Sequence, residues 1–177
     1  PYGLSGVGVG LVWLFIFDPA IGILGVILRA IGLPGPEWFR DPNLTLAMVI
    51  IVYVWKNMGY AAVIYLAGLQ AIPRDLLEAA ALDGASSWRT FWSVVWPLLS
   101  PITFFLLITS VLASLQAFDI IQIMTPLGNG TTTLIYEVYL QAFGQFNRAG
   151  YSATVAVVLF VLLVVLTIVQ LRYVERR

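Results

Sequence analysis

Few residues in this chain can do chemistry. Its 177 residues include no cysteine and no histidine, which removes disulfides, thiol nucleophiles, imidazole bases and the Cys/His zinc patterns. Carboxylates and hydroxyls remain. Most enzyme mechanisms leave with histidine and cysteine, which makes an enzyme the least favoured class, and no catalytic residue, cofactor or metal is expected. Lys56 is the single lysine, and Tyr53, Lys56, Asn57 and Tyr60 stand at i, i+3, i+4 and i+7. On a helix that spacing gathers two phenols, an ammonium and an amide on one stripe, a set suited to a polyhydroxylated or anionic solute. Lys56 lies inside an apolar run, where a cation needs a cavity, a carboxylate or water. Solute contact is one reading; snorkelling, or pairing with an acid on a partner helix, is the other. A phosphate-cradling loop needs G-x-x-x-x-G-K-[ST], whereas Lys56 precedes Asn57 and lacks the glycines. ATP is not bound that way here, and any energy must arrive through a partner.

The second informative stretch is Ala71-Ile72-Pro73-Arg74-Asp75-Leu76-Leu77-Glu78-Ala79-Ala80-Ala81-Leu82-Asp83-Gly84. Proline opens a helix and glycine stops it, so a short helix from Pro73 to about Asp83 is expected. Ser86 can cap a second helix on which Trp88, Phe91, Trp92, Val95 and Trp96 recur at helical spacing until Pro97 ends it. Its aromatic face belongs in the headgroup zone. Such a helix–turn–helix presents a rigid knob rather than a plain linker. Glu78 has an ordinary alternative, an exposed i,i+4 pair with Arg74.

These segments need a membrane to position them. The chain is 60% hydrophobic and 10% charged, with mean hydropathy +0.94, far from an ordinary soluble domain. Nine basic residues balance nine acidic ones, so no basic surface is present to hold nucleic acid. A helix needs about 20 apolar residues to span a bilayer, and runs at 98–118 and 151–171 meet this without a charge. The run at 44–69 is long enough but carries Lys56, and 2–17 resembles the end of a span. Four crossings in one membrane domain over 1–177 are therefore expected. The chain opens at Pro1 within an apolar run, which reads as a piece of something longer whose N-terminal spans are absent. Arg74, Arg89, Arg172, Arg176 and Arg177 fall on one side and Arg29, Arg40 and Arg148 on the other, which puts the 70–97 loop and the C-terminus in the cytoplasm. Ala20–Leu33 is too short to cross and fits an interfacial or re-entrant helix. Gly6-x-x-x-Gly10 permits close helix approach, or else simple flexibility. Asp119 is expected at the outer interface, solvated. Pro126, Gly128, Gly130 and Thr131-Thr132-Thr133 signal a turn before a short external helix over 134–143.

Glu78-Ala79-Ala80, three residues, Gly84, nine residues, Val94, one residue and Trp96-Pro97 together resemble the loop of binding-protein-dependent ABC importer permeases, whose pattern is Glu-Ala-Ala, Gly, then Ile-x-Leu-Pro. Val94 and Trp96 depart from it but stay apolar. Leu66 to Pro73 and Pro97 to Pro101 are similar to the carbohydrate branch, which includes maltose and glycerol-3-phosphate permeases; Gln170 to Arg176 and Ser100 to Phe105 resemble the latter. The resemblance implies an all-α, polytopic membrane protein with the type I importer permease fold and cytoplasmic coupling helices. It implies Glu78, Ala79, Ala80 and Gly84, with Asp83 beside them, as the contact to an ATPase, and Ser110 and Ser114 as residues lining a sugar site. A serine in a span otherwise bonds its own i−4 carbonyl or a neighbouring helix. The implied partners are a second permease subunit forming a heterodimer, two ATPase subunits, an extracytoplasmic binding protein, a sugar or glycerol-3-phosphate-like solute, and membrane lipid. The implied setting is a bacterial or archaeal inner membrane. A secondary transporter using Lys56 and Asp119 as relay groups, or a scaffold without a solute path, are the alternatives.

Overall fold

The computed structural model describes residues 1–126, 130–144 and 147–176. Every regular element among them is helical: α1 (Gly6–Ile16), α2 (Ile23–Ala30), α3 (Pro42–Gln70), α4 (Arg74–Leu82), α5 (Ser87–Thr90), a π turn (Phe91–Val95), α6 (Trp96–Leu98), α7 (Ser100–Leu115), α8 (Asp119–Met124), α9 (Leu134–Phe143) and α10 (Ala149–Glu175). Gly128, part of the expected 126–133 turn, and Arg177, part of the basic tail, lie outside the described residues. Two units divide the chain, Pro1–Lys56 with Leu112–Arg177, and Asn57–Val111.

By length and composition α3, with 29 residues, and α10, with 27, can cross a membrane. At 1.5 Å per residue these helices run roughly 40 Å, more than the hydrocarbon thickness of about 30 Å. The run at 2–17, expected to be the end of a span, holds an 11-residue helix, α1, roughly 17 Å long. At the run over 98–118, the helical path of Ser87–Leu98 and that of Ser100–Leu115 meet at a 62° bend, and the pair makes a third span if counted together.

In the first unit Val9, Phe17, Met48, Val52, Ile120 and Met124 form the core, flanked by Trp13, Trp38, Tyr53 and Trp55. Trp13 meets Trp55 edge-on at 5.4 Å and Phe17 meets Trp38 at 4.8 Å, arrangements favoured by the ring quadrupoles. The Gly6/Gly10 pair is a close-approach device. Gly6, Val9 and Gly10 are buried on one face of α1; a Cβ on Gly6 would overlap the Asp119 carboxylate, and one on Gly10 would lie 3.0 Å from Ile123. Small residues let α1 and α8 pack backbone to side chain.

Asp119 is consequently less open to solvent than the sequence suggests. It starts α8, is half-buried against Gly6, and accepts from the Tyr53 hydroxyl at 3.3 Å. Beyond α8, Thr125 and Thr131 share a hydrogen bond at 2.7 Å and the Tyr136 hydroxyl donates to the Pro126 carbonyl at 2.8 Å. Burial, then the neighbouring Tyr139 phenol, raises the Tyr136 hydroxyl above its ordinary pKa, so it stays a donor. Thr133 caps α9 by accepting from the Tyr136 N–H. The short helix expected over 134–143 is α9.

In the second unit Gly68 lies against Ile102 and Leu99, where a Cβ would clash with the Ile102 side chain. The Tyr65 hydroxyl donates to Thr103 Oγ1 at 2.7 Å, and Thr103 donates to the Leu99 carbonyl. Tyr65→Phe should cost about 0.6 kcal/mol, the usual value of one interhelical bond in a membrane, measured as stability to denaturing detergent. A loss above about 2 kcal/mol would show that more than this bond is at stake.

Candidate functional site: a helical elbow

The elbow lies entirely within the second unit. Pro73 is the N-cap residue of α4, its fixed φ suited to a helix entrance. At the other end the chain closes a double hydrogen-bonded stop: Gly84 N–H donates to the Ala81 carbonyl at 3.0 Å and Ala85 N–H to the Ala80 carbonyl at 3.1 Å. This is the Schellman arrangement, which requires a left-handed residue after the helix. Gly84 supplies it with φ +75. Ser86 then caps α5 by accepting from the Arg89 N–H at 3.3 Å.

The second arm differs from the expected helix in one respect: Pro97 does not end it. The π turn over Phe91–Val95, closed by the Trp96 N–H on the Phe91 carbonyl, widens the helix just before the proline. A proline ring crowds the carbonyl four residues back in a regular helix. The wider turn accommodates it, and the path continues to Leu98 before bending at Leu99. The expected aromatic face is real: Trp88 meets Trp92 at 5.7 Å, Phe91 meets Trp92 at 5.1 Å, and Trp92 meets Trp96 at 5.9 Å.

α4 buries no residue. Glu78, Ala79, Asp83 and Gly84 are exposed and Ala80 is half-buried. Leu82 is 89% exposed and Trp88 73% exposed, large apolar side chains of the kind that water disfavours. A groove of about 230 Å³ runs between the arms, walled by Ala80, Asp83, Ala85, Arg89 and Ser93. Among the described residues Arg74 and Glu78 form no ion pair, so the ordinary surface-pair reading of Glu78 finds no support. Its carboxylate is available to an incoming donor.

The α3 stripe is partly engaged from within. Tyr53 bonds to Asp119, and Asn57 and Tyr60 also have partners within the structure. Lys56 is half-buried and has no ion pair among the described residues. On α7, Ser110 and Ser114 are exposed one turn apart. Thr109 bonds back to the carbonyl four residues earlier, at 3.0 Å on Phe105; among the described residues the Ser110 hydroxyl has no such bond. Sequence reasoning missed the Tyr53–Asp119 and Tyr65–Thr103 pairs, which lie 66 and 38 residues apart. No local periodicity signals contacts at that separation.

Long apolar helices joined through an exposed, capped elbow define an all-α polytopic membrane protein, and solved structures give its fold class. The chain is similar to a bacterial alginate ABC transporter in complex with an alginate pentasaccharide-bound periplasmic protein, with TM-score 0.82, 21% identity, and coverage of 96% of this chain and 60% of that one. A second structure, of a bacterial ABC transporter involved in import of the acidic polysaccharide alginate, gives TM-score 0.74 at 21% identity over 97% and 62%. This is the fold of an ABC importer permease.

Residues 4–177 match the binding-protein-dependent transport system inner membrane component family, and the chain belongs to it. It is 43% identical to the sn-glycerol-3-phosphate transport system permease protein UgpA of Agrobacterium fabrum over 180 residues, 41% to that of Brucella abortus, and 40% over 182 residues to that of Yersinia pseudotuberculosis. Each comparison covers all of this chain. The chain spans about 60% of the length of these relatives.

Proposed function

We propose that this chain is the membrane-spanning part of an ATP-driven importer, moving a sugar or glycerol-3-phosphate-like solute inward by alternating access. The elbow carries the reading. Its turn is locked by two backbone hydrogen bonds and a left-handed glycine, yet it exposes Leu82, Trp88 and a Glu78 that has no ion pair among the described residues. A rigid projection with exposed apolar side chains and an exposed carboxylate transmits force only if another molecule grips it. In this reading the grip is an ATPase subunit at Glu78, Ala79, Ala80, Asp83 and Gly84, and nucleotide-driven closure there shifts the population between two states of the pathway. ATP hydrolysis belongs to that partner, and this chain is not itself an enzyme. A second permease subunit, a second ATPase and an extracytoplasmic binding protein complete the assembly, with the elbow and the C-terminus on the cytoplasmic side. The 40–43% identity to three glycerol-3-phosphate permeases supports a solute of that class.

Tyr53, Lys56, Asn57 and Tyr60 on α3, with Ser110 and Ser114 on α7, are the proposed pathway residues. Lys56, without an ion pair among the described residues, suits a phosphate or a row of hydroxyls. Lys56→Leu combined with Asn57→Leu should lower ATP-dependent solute uptake by about tenfold or more while the subunits still copurify. Unchanged uptake in proteoliposomes would remove the stripe from the pathway.

A further inference from the structure

α2 poses a separate problem. With 8 residues it reaches roughly 12 Å and cannot cross a bilayer, yet Ile23, Val26 and Ile27 on one face are 58%, 52% and 51% exposed, with Ile21 and Ile31 beside them at 62% and 63%. In an inner-membrane component such a face rests in lipid, at the boundary between headgroups and acyl chains. Behind it the turn from α1 encloses a cavity of about 190 Å³ lined by Phe17, Asp18, Pro19, Arg29, Pro36 and Trp38, among others. The cavity therefore holds one guanidinium, one carboxylate and two aromatic rings.

The two charges are held in place. Arg29 folds back along its own helix, Nε donating to the Gly25 carbonyl and an Nη to the Ala20 carbonyl, both at 3.1 Å. Three N–H donors remain on that fork. Asp18 Oδ1 accepts the N–H groups of Ala20 at 2.8 Å and Ile21 at 3.1 Å, which leaves its second oxygen outside the turn. No ion pair joins Arg29 to Asp18 among the described residues.

We propose that this cavity seats the headgroup of a phosphatidylethanolamine molecule whose acyl chains lie along the apolar face of α2. Arg29 takes the phosphate through charge-assisted hydrogen bonds. Asp18 accepts from the primary ammonium, and the Trp38 ring offers it a cation–π face. The seat discriminates by chemistry. Phosphatidylcholine brings no N–H donor to Asp18, and phosphatidylglycerol brings no cation.

The complete transporter, purified, delipidated and titrated with each of the three lipids, tests this by native mass spectrometry. Phosphatidylethanolamine should be retained about tenfold more strongly than either alternative. Arg29→Gln should erase most of that retention. Asp18→Asn keeps the oxygen that organises the turn but removes the charge, and should bring phosphatidylethanolamine down to the level of phosphatidylglycerol. Because Arg29→Gln also removes contacts to two carbonyls, Ile23→Ser with Ile27→Ser serves as an independent variant: it should weaken all three lipids while preserving their order. Equal retention of the three lipids by the unaltered transporter, or unchanged preference in Asp18→Asn, would overturn the proposal. Displacement of the lipid by free phosphoethanolamine at equal concentration would overturn the lipid as occupant. None of these readouts depends on solute uptake, so a failed uptake assay and a failed lipid assay speak to different claims.

Discussion

Glu78→Lys and Gly84→Val should each abolish ATP-driven uptake while leaving the protein in the membrane at normal abundance. Glu78 is exposed and has no ion-pair partner among the described residues, so charge reversal removes nothing from the fold of this chain. Its effect falls on whatever approaches the elbow, where a like charge replaces a charge-assisted contact. Gly84 works through geometry instead. A Cβ there meets nothing within 4 Å, so the substitution costs no collision. The cost is the left-handed backbone at φ +75, about 1–2 kcal/mol for an L-residue and more for a β-branched one. That strain falls on the two hydrogen bonds closing α4, and the tip carrying Leu82 and Trp88 loses its fixed direction. Copurification of the ATPase with each variant, together with uptake in proteoliposomes, measures the effect. A fall of at least about tenfold in ATPase retention is expected. Undiminished retention and uptake in both variants would end the coupling reading. Gly84→Asn tolerates the left-handed conformation better and should recover part of the loss.

Gly6→Val should destabilise the first unit by about 3 kcal/mol or more, and Gly6→Ala by about 1–3 kcal/mol, as overpacking does when the neighbour has little room to yield. The neighbour is the Asp119 carboxylate, held by the Tyr53 hydroxyl and by the N–H of Ile120 at 2.9 Å. Displacing it breaks a hydrogen bond between α3 and α8 as well as the α1–α8 contact. A Cβ on Gly3, just ahead of α1, would meet nothing within 4 Å, so Gly3→Ala should be neutral within about 0.5 kcal/mol. Thermal unfolding in detergent, following the fluorescence of the tryptophans packed around the core, separates the two. Equal behaviour of Gly3→Ala and Gly6→Ala would mean that the glycines of α1 serve flexibility rather than close approach.

The elbow is legible in the sequence because its determinants are local. Pro73, Gly84 and Ser86 act within a turn of themselves, and the structure places a helix start, a left-handed stop and a cap at those residues. The π turn is not legible, since proline in a helical pattern ordinarily marks its end and only the local widening of the backbone admits it. Asp119 misleads for a related reason. A lone carboxylate at the end of an apolar run looks like an interfacial charge until α1 brings glycine, and α3 brings a phenol, against it. The stripe on α3 has the spacing read from the sequence, but its members divide: Tyr53, Asn57 and Tyr60 have partners, whereas Lys56 has no ion pair among the described residues.

Composition determined that this chain belongs in a bilayer, and its uninterrupted apolar runs of about 20 residues determined that it crosses as helices, which satisfy every backbone group within their own segment. Pro73, Gly84 and Ser86, as helix start, stop and cap, determined where the elbow lies. Only the tertiary structure decided that Gly6 and Gly10 are packing sites, that Asp119 is half-buried, and that Arg29 and Asp18 face one cavity. These are meetings between residues far apart along the chain or across a turn, and hydropathy and helical period carry no record of which surfaces will touch.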